Sequence, residues 1–400
     1  MKNVIGTPAR GESFFPRKTE IEIILTHLEN GNNLQIAAPR RIGKTSILFY
    51  LLDNKLSGYV YVYVDTEAIN DENEFFKKLL KELLRVDEIR SSDRLKRLLE
   101  QGQKFLKRVK SISLSDPGIE FSEDNGQIDY KEDLLNFLLG IELETNAKLV
   151  ILLDEFPQTI QNIVDRDQGD LKAAQRFLQS NREIRLHPDI TSKVKFIITG
   201  SIGLNHTVAA INSSAFINDL ASIEVGPLSD KEARQFLQAL LRPRRLTISE
   251  ENTDFLFQRI EWLIPFHVQL IVQEMITLAR SNNVEEIDAG IVSNSFRAIV
   301  QARNNNHFEH YYSRLKKQFK GEEFKYAEEV LEALAQSGTL MRSAIFDLSV
   351  KYNLQNRWRH ITEVLMYDGY INNIGDPAVY RFNSPIVRMW WQRFICKELL

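Results

Sequence analysis

Five runs of apolar, β-branched or aromatic residues punctuate the first 230 positions, and the stretches between them carry apolar residues at helical spacing. Leu34-Gln35-Ile36-Ala37 is the shortest run. Tyr59–Val64 reads YVYVYV, Lys148–Leu153 reads KLVILL, and Val194–Thr199 reads VKFIIT. Ser222–Val225, SIEV, is a fifth candidate. Strands that are apolar throughout, separated by helices, predict an α/β fold with a parallel sheet covered on both faces.

Two blocks of opposite charge lie between the second and third strands. Phe75–Lys110 has leucines at helical spacing and is rich in Lys and Arg, whereas Asp116–Glu144 is mostly acidic. Asp116-Pro117-Gly118 marks a turn between them. The blocks read as solvated helix faces. A nucleic-acid contact by the basic block is the alternative.

After Pro227 the pattern turns helical. Ser229-Asp230-Lys231-Glu232 fits a capping box for a helix to Leu241, and Ser249 can cap another. Helices are expected at Pro265–Arg280, Ile287–Val300 and Arg303–Phe319, with the basic loop Arg242-Pro243-Arg244-Arg245 after the first of the series. Three more helices, Glu322–Gln336, Met341–Tyr352 and Asn356–Tyr367, precede candidate strands Tyr370–Ile374 and Val379–Phe382. Ser384-Pro385 opens a last helix. Three helices followed by a ribbon are the order of a winged helix-turn-helix.

Composition narrows the class. At 43% hydrophobic and 26% charged, 400 residues can build two to four domains with sizeable cores. A single cysteine, Cys396, excludes a fold stapled by intrachain disulfides. A net charge of −3 supplies no global basic field, so a nucleic-acid surface would have to be local. Neither a signal-like apolar core near Met1–Arg17 nor a membrane-length apolar run occurs, which makes a cytoplasmic location the expectation.

Residues 38–45 read Ala-Pro-Arg-Arg-Ile-Gly-Lys-Thr, between a strand and the helical run SILFYLL. This approaches the G-x-x-x-x-G-K-[ST] phosphate loop, with Ala38 in place of the first glycine. Such a loop points successive backbone N–H groups at phosphate, aided by the helix N-terminus. Ala38, Pro39, Arg40, Arg41, Ile42, Gly43, Lys44, Thr45 and Ser46 are the candidate cradle. Gly43 would allow close backbone approach, Lys44 would reach the β- and γ-phosphates, and Thr45 would offer Mg²⁺ a hydroxyl.

The strand Leu149–Leu153 runs into Asp154-Glu155, about 110 residues after Lys44. Acids at the carboxyl end of a buried strand belong where a ligand crevice opens. Asp154 is the candidate Mg²⁺ residue, and Glu155 the candidate catalytic base that polarises water. The next strand ends in Thr199-Gly200-Ser201, and Thr199 and Ser201 are equal candidates to sense the γ-phosphate.

With these elements in order, the chain resembles the archaeal-type ATPase family within the AAA+ and STAND class of P-loop NTPases. FFPRKTE, APRRIGKTSI, VILLDEF, FIITGSIGL, VGPLSDKEA, WLIPFHVQL and the tail DGYI…YRFNSPIVRMWW carry the likeness. It implies a P-loop NTPase core with a parallel five-stranded sheet over 1–227, an insertion at about 75–145, a helical lid over 228–302 and a winged-helix domain over 303–400. It also implies nucleotide contacts by Arg17, within Phe14-Phe15-Pro16-Arg17-Lys18, and by Pro265, within Leu263-Ile264-Pro265. Ring-forming relatives carry an arginine finger between the sensor strand and the lid, and residues 201–227 hold neither Arg nor Lys. Arg182 and Arg185, just before that strand, are possible substitutes, although the residues themselves read as solvated helix-end arginines.

The expected function is therefore a slow Mg²⁺-dependent ATPase switch that binds ATP and ADP and couples nucleotide state to the lid, the winged helix and a protein partner or self-association. One alternative is a DNA-binding ATPase of the origin-recognition or transposon-regulator type, reading duplex DNA through Arg357 and Arg359. The other is an ATP-binding scaffold without turnover.

Overall fold

In a computed structural model of the chain, residues 1–54, 56, 58–90, 129–143, 147–201 and 203–396 are described. The expected turn at 116–118, the basic block beyond residue 90 and the acidic block before residue 129 fall outside them. The chain divides into two units. One comprises Pro16–Ala38 and Lys44–Val225; the other comprises Met1–Phe15, Pro39–Gly43 and Gly226–Leu400.

The first unit is built on five strands: β1 (Asn33–Ala37), β2 (Tyr59–Asp65), β3 (Lys148–Asp154), β4 (Val194–Thr199) and β5 (Leu220–Glu224). Their order is β2-β3-β4-β1-β5, and every pairing is parallel. Leu149 to Asp154 of β3 and all of β4 are buried, as two-sided coverage demands. The fifth strand begins two residues earlier than SIEV suggests, because Leu220 and Ala221 pair with Asn33 and Leu34.

Helices α1 (Lys18–Glu29), α2 (Lys44–Asn54), α3 (Glu72–Leu84), α4 (Tyr130–Gly140), α5 (Phe156–Arg166) and α6 (Leu171–Leu186) belong to the same unit. Asp71, Asp129 and Asp170 cap α3, α4 and α6 by accepting from backbone N–H groups of the first turn. Phe75 meets Phe76, Phe156 and Phe177 edge-on, all four fully buried. Phe156 directly follows the two acids, so this aromatic cluster anchors the carboxyl end of β3.

In the second unit, α7 (Asp230–Leu241) opens with the expected capping box of Ser229 and Glu232, and α8 (Glu250–Ile260) is capped by Ser249. Helices α9 (Pro265–Ser281) and α10 (Ala289–Ile299) follow. Between them Glu286–Ile287 pairs in parallel with Thr247–Ile248, a two-residue ladder too short to leave a periodic signal. The helix expected over Arg303–Phe319 is instead a 3₁₀ segment, Ala302–His307, followed by α11 (Glu309–Gln318). Asn304 explains the break: its side-chain amide donates to the Ala298 carbonyl and to Glu274, holding a turn that a helix would lose.

Helices α12 (Gly321–Ser337), α13 (Arg342–Lys351) and α14 (Trp358–Tyr367) then join strands β6 (Thr339–Met341), β7 (Ile371–Asn372) and β8 (Val379–Phe382). The ribbon has three strands, antiparallel in the order β6-β8-β7, one more than the sequence pattern suggests. This is a winged helix-turn-helix. The buried Arg314 of α11 donates twice to Asp368 at the end of α14, at 2.7 and 3.1 Å. In the last helix, α15 (Pro385–Phe394), Trp390 and Trp391 are buried core anchors.

The next residue after Asp368 has a tighter constraint. Gly369 has φ +81°, and a Cβ there would lie 2.9 Å from Cη2 of Trp262 and 3.1 Å from Cβ of Pro39. The crest of the phosphate loop thus packs within the lid and winged-helix unit. Gly369→Ala is expected to destabilise this unit by about 1–3 kcal/mol, from left-handed strain and the clash. Urea unfolding together with amide exchange over residues 39–43 checks it. Unchanged stability with unchanged exchange would count against the contact.

Candidate functional site

Asp154 is the last residue of β3 and is buried. Parallel register brings its partners level. Asp65 of β2 pairs with Asp154, which sets Tyr63 two residues back on the same strand. Ile198 of β4 pairs with Leu153, so Thr199 arrives beside the carboxylate. Thr45 comes from the first turn of α2.

The hydrogen bonds follow from that convergence. Thr45 donates to Oδ2 at 2.8 Å and Tyr63 to the same oxygen at 3.2 Å. The Thr199 hydroxyl and the Glu155 N–H, the latter at 3.1 Å, donate to Oδ1. Burial pushes the Asp154 pKa above its ordinary value and the charge of Glu155 adds to this, while the hydroxyls of Thr199, Thr45 and Tyr63 pull it back. The strand end is fixed through its backbone too: the Asp154 carbonyl accepts from the N–H and hydroxyl of Thr66 at 3.0 and 2.9 Å. Thr159 of α5 in turn donates to the Thr66 carbonyl at 2.7 Å.

Glu155 stands between strand and helix in left-handed backbone, φ 57° and ψ 28°, uncommon outside glycine. Its Oε2 accepts from the N–H and hydroxyl of Ser201 at 2.9 and 2.8 Å. Thr199 and Ser201, equal candidates in sequence, therefore serve different acids: Thr199 bonds Asp154 and Ser201 bonds Glu155.

On the loop, the buried Lys44 ammonium donates to the Ala38 carbonyl at 2.8 Å. Gly43 has φ +105°, a conformation that strains any side-chain-bearing residue, and Arg41 also has positive φ, 66°. Ala38, Ile42 and Ser46 are buried. The Arg41 guanidinium lies 4.5 Å from the ring centre of Phe266, directly after Pro265 at the first position of α9. Burial, Arg41 and Arg40 together push His310 of α11 down to about 3, so it is neutral, and neither ring nitrogen has a hydrogen-bond partner among the described residues. Arg17 is buried and ion-paired with Glu20 at the start of α1.

Arg185 corrects the sequence reading. It is not solvated: its guanidinium is buried and bonded to both oxygens of Asp219, at 2.8 and 2.9 Å, and to the Phe216 carbonyl at 2.8 Å. Asp219, just before β5, neutralises it, and the pair ties α6 to the approach to β5. Arg182 is half-buried and donates to Asn218 at 3.2 Å. On the winged helix, Arg357 is held by Glu323 at 2.9 Å and Arg359 lies over Trp358.

Tyr63, Thr66 and Thr159 escaped sequence reading. Only Tyr63 left a signal, since the alternation of YVYVYVD puts it on the same face of β2 as Asp65 and Tyr61.

The donor set can be tested for a metal. The Thr45 hydroxyl and Asp154 carboxylate are hard oxygen donors in contact, as suits Mg²⁺, which takes few protein ligands and shares the rest with water and phosphate. Among the described residues, no group of three or more His, Cys, Asp or Glu could cage a metal alone. The residues fit a cation shared with a phosphate ligand. No helix among the described residues is long and apolar enough to cross a membrane.

No family model and no curated protein sequence matches this chain. In three dimensions it is similar to a Walker-type ATPase of Pyrococcus abyssi, with TM-score 0.65 and 16% identity over 98% of this chain and 100% of the other. It is also similar to the ORC2 protein of Aeropyrum pernix in its ADPNP and ADP complexes, with TM-score 0.52 and 11% identity over 99% and 98%. The P-loop ATPase fold thus extends over nearly the whole chain.

Thr199→Val removes the strongest influence opposing burial at Asp154, so its pKa is expected to rise further. A ligating carboxylate must be ionised, so divalent-cation binding should weaken more steeply as the pH falls than in the unaltered chain. Mn²⁺ relaxation titrations at several pH values test this; parallel pH profiles would contradict it.

Proposed function

We propose that this chain is a Mg²⁺-dependent ATPase switch with low intrinsic turnover. The observation that carries the reading is the convergence of Thr45, Asp154, Thr199, Glu155 and Ser201 at the carboxyl ends of β3 and β4, in a chain that also has the phosphate-loop pattern. The ADPNP and ADP complexes of the similar Aeropyrum pernix ORC2 protein support a nucleotide as ligand.

In this reading the loop Ala38–Ser46 receives the phosphates, and Lys44 exchanges its bond to the Ala38 carbonyl for phosphate oxygens. Thr45 and Asp154 hold Mg²⁺, which neutralises charge on the β- and γ-phosphates when bound. Thr199 keeps Asp154 oriented. Glu155 accepts Ser201 on one carboxylate oxygen and uses the other to orient a water against the γ-phosphate. Arg17 and Pro265 are the remaining proposed nucleotide contacts, Arg17 as a support for the first turn of α1.

Low turnover follows from where the arginines are. Residues 201–227 hold no Arg or Lys, and Arg185 is committed to Asp219. An arginine that stabilises the transition state raises the rate by about 10³–10⁵ in other P-loop enzymes, so such a charge would come from a partner or a second copy. The switch part of the proposal rests on the loop crest, where Pro39 packs against Gly369 and Arg41 against Phe266. Displacement of the crest by a γ-phosphate would change contacts that the lid and winged helix make, which is the differential contact a switch needs. The Glu323 partner of Arg357 favours a protein-facing winged helix over one that reads duplex DNA through Arg357 and Arg359.

Lys44→Ala is expected to weaken ATP binding well over tenfold, measured by calorimetry. Glu155→Gln should still bind Mg-ATP but hydrolyse it about 10²–10⁴ times more slowly in single-turnover assays. Full ATP affinity in the first variant would remove the phosphate-loop assignment. An unchanged rate in the second would remove Glu155 as the base.

A further inference from the structure

The cations of the second unit are unevenly matched. Arg234 engages Asp230, Glu250 and Asp254, and Arg303, Lys351 and Arg381 each have an acidic partner. Lys2, Arg242, Arg245 and Arg280 are exposed and form no ion pair among the described residues. Other exposed cations of this unit, Lys316, Lys317 and Lys320 among them, also form no ion pair among the described residues, but these four gather at one place. Lys2, Arg244 and Arg280 line an open hollow of about 670 Å³ together with Glu12, Pro243 and Met1. Arg242 and Arg245 flank it on the 3₁₀ turn Arg242–Arg244, whose end is held by the Arg245 N–H donating to the Arg242 carbonyl at 3.1 Å. Arg244 is fixed by its own bond to the Leu240 carbonyl, 3.1 Å, at the end of α7.

We infer that this hollow on the lid binds the phosphodiester backbone of a nucleic acid, at a site separate from the nucleotide-binding residues and from the winged helix. Five cations around one acid form a local positive field that the chain's overall charge of −3 conceals. Four of the five are arginines, whose planar forks match phosphate geometry. Four of the six lining side chains are charged, and Pro243 and Met1 are the apolar ones. The lining thus lacks the aromatic or aliphatic anchor that a protein partner would need as its energetic centre, and the apolar wedge that a membrane contact would insert. Contacts to phosphate carry no sequence information, so binding through them should be insensitive to sequence.

The test is fluorescence anisotropy of the full chain with labelled duplex and single-stranded oligonucleotides across a salt series. The variant carries Lys2→Gln, Arg242→Gln and Arg280→Gln, and keeps Arg244 because it supports the end of α7. The expected result is at least a tenfold loss of affinity at low salt, with a salt slope lower by about 2–3, as the loss of three phosphate contacts predicts. The arms also separate the two forms of nucleic acid, because each contact adds about 0.9 to the slope for duplex and about 0.7 for a single strand. Arg357→Ala with Arg359→Ala should leave binding unchanged. The inference is overturned if neither nucleic acid binds at low salt, if the triple variant binds as well as the unaltered chain, or if the winged-helix variant alone abolishes binding. It is also overturned if polyglutamate, or anionic phospholipid vesicles at matched charge, bind the hollow in the same charge-dependent way as the oligonucleotides. ATP binding by the triple variant is measured in parallel, so a failure here is distinguishable from a failure of the nucleotide site.

Discussion

One buried carboxylate organises the first unit. A lone charge at the end of β3 would be expensive to take out of water, and the chain meets that cost with three hydroxyls and a backbone N–H drawn from three different elements. Two of these donors, Tyr63 and Thr199, reach Asp154 through the parallel register of β2, β3 and β4, and the register depends on the apolar faces that the helices cover. Sheet, helices and acid therefore specify one another. The burial still shows, because the carboxyl remains harder to ionise than an exposed one. A cation held there, as proposed for Mg²⁺, would relieve that tension.

Much of this could be read in advance. The five strands stood out because buried parallel strands are apolar along their whole length, and the loop and the two acids stood out together, through their order and their spacing of about 110 residues, where each alone is a common strand end. Ser229 and Glu232 announced their capping box through spacing alone. What could not be read depends on long-range placement. Tyr63 looks like any strand tyrosine until register sets it against Asp154. Arg185 looks like a solvated helix-end residue until Asp219, 34 positions on, turns out to lie against it. The third strand of the wing is three residues long, below the length at which alternation can be recognised.

The two kinds of arginine in the chain make a useful contrast. Arg185 and Arg314 are buried with their acids and act as struts, since removing either partner would leave a charge with no solvent. Arg242 and Arg245 are exposed and form no ion pair among the described residues. Burial and pairing, rather than residue type, separate the structural arginines from those available to a ligand.

The crest of the loop, Pro39–Gly43, is covalently part of the β1–α2 connection yet packs with the lid and winged helix. Five residues of a connection within one unit therefore belong to the other. Regions of a protein open at different free energies, and a segment is only as persistent as the weaker structure that holds it. If the C-terminal unit opens first on warming, the crest loses its support while the parallel sheet is still intact. The protein would then pass through a state with an intact parallel sheet and a slack loop, the helices of the C-terminal unit being already lost. In such a chain the loop would lose its support with the first loss of helix, and a melting curve that follows only the parallel sheet would overstate the temperature at which the loop keeps its shape.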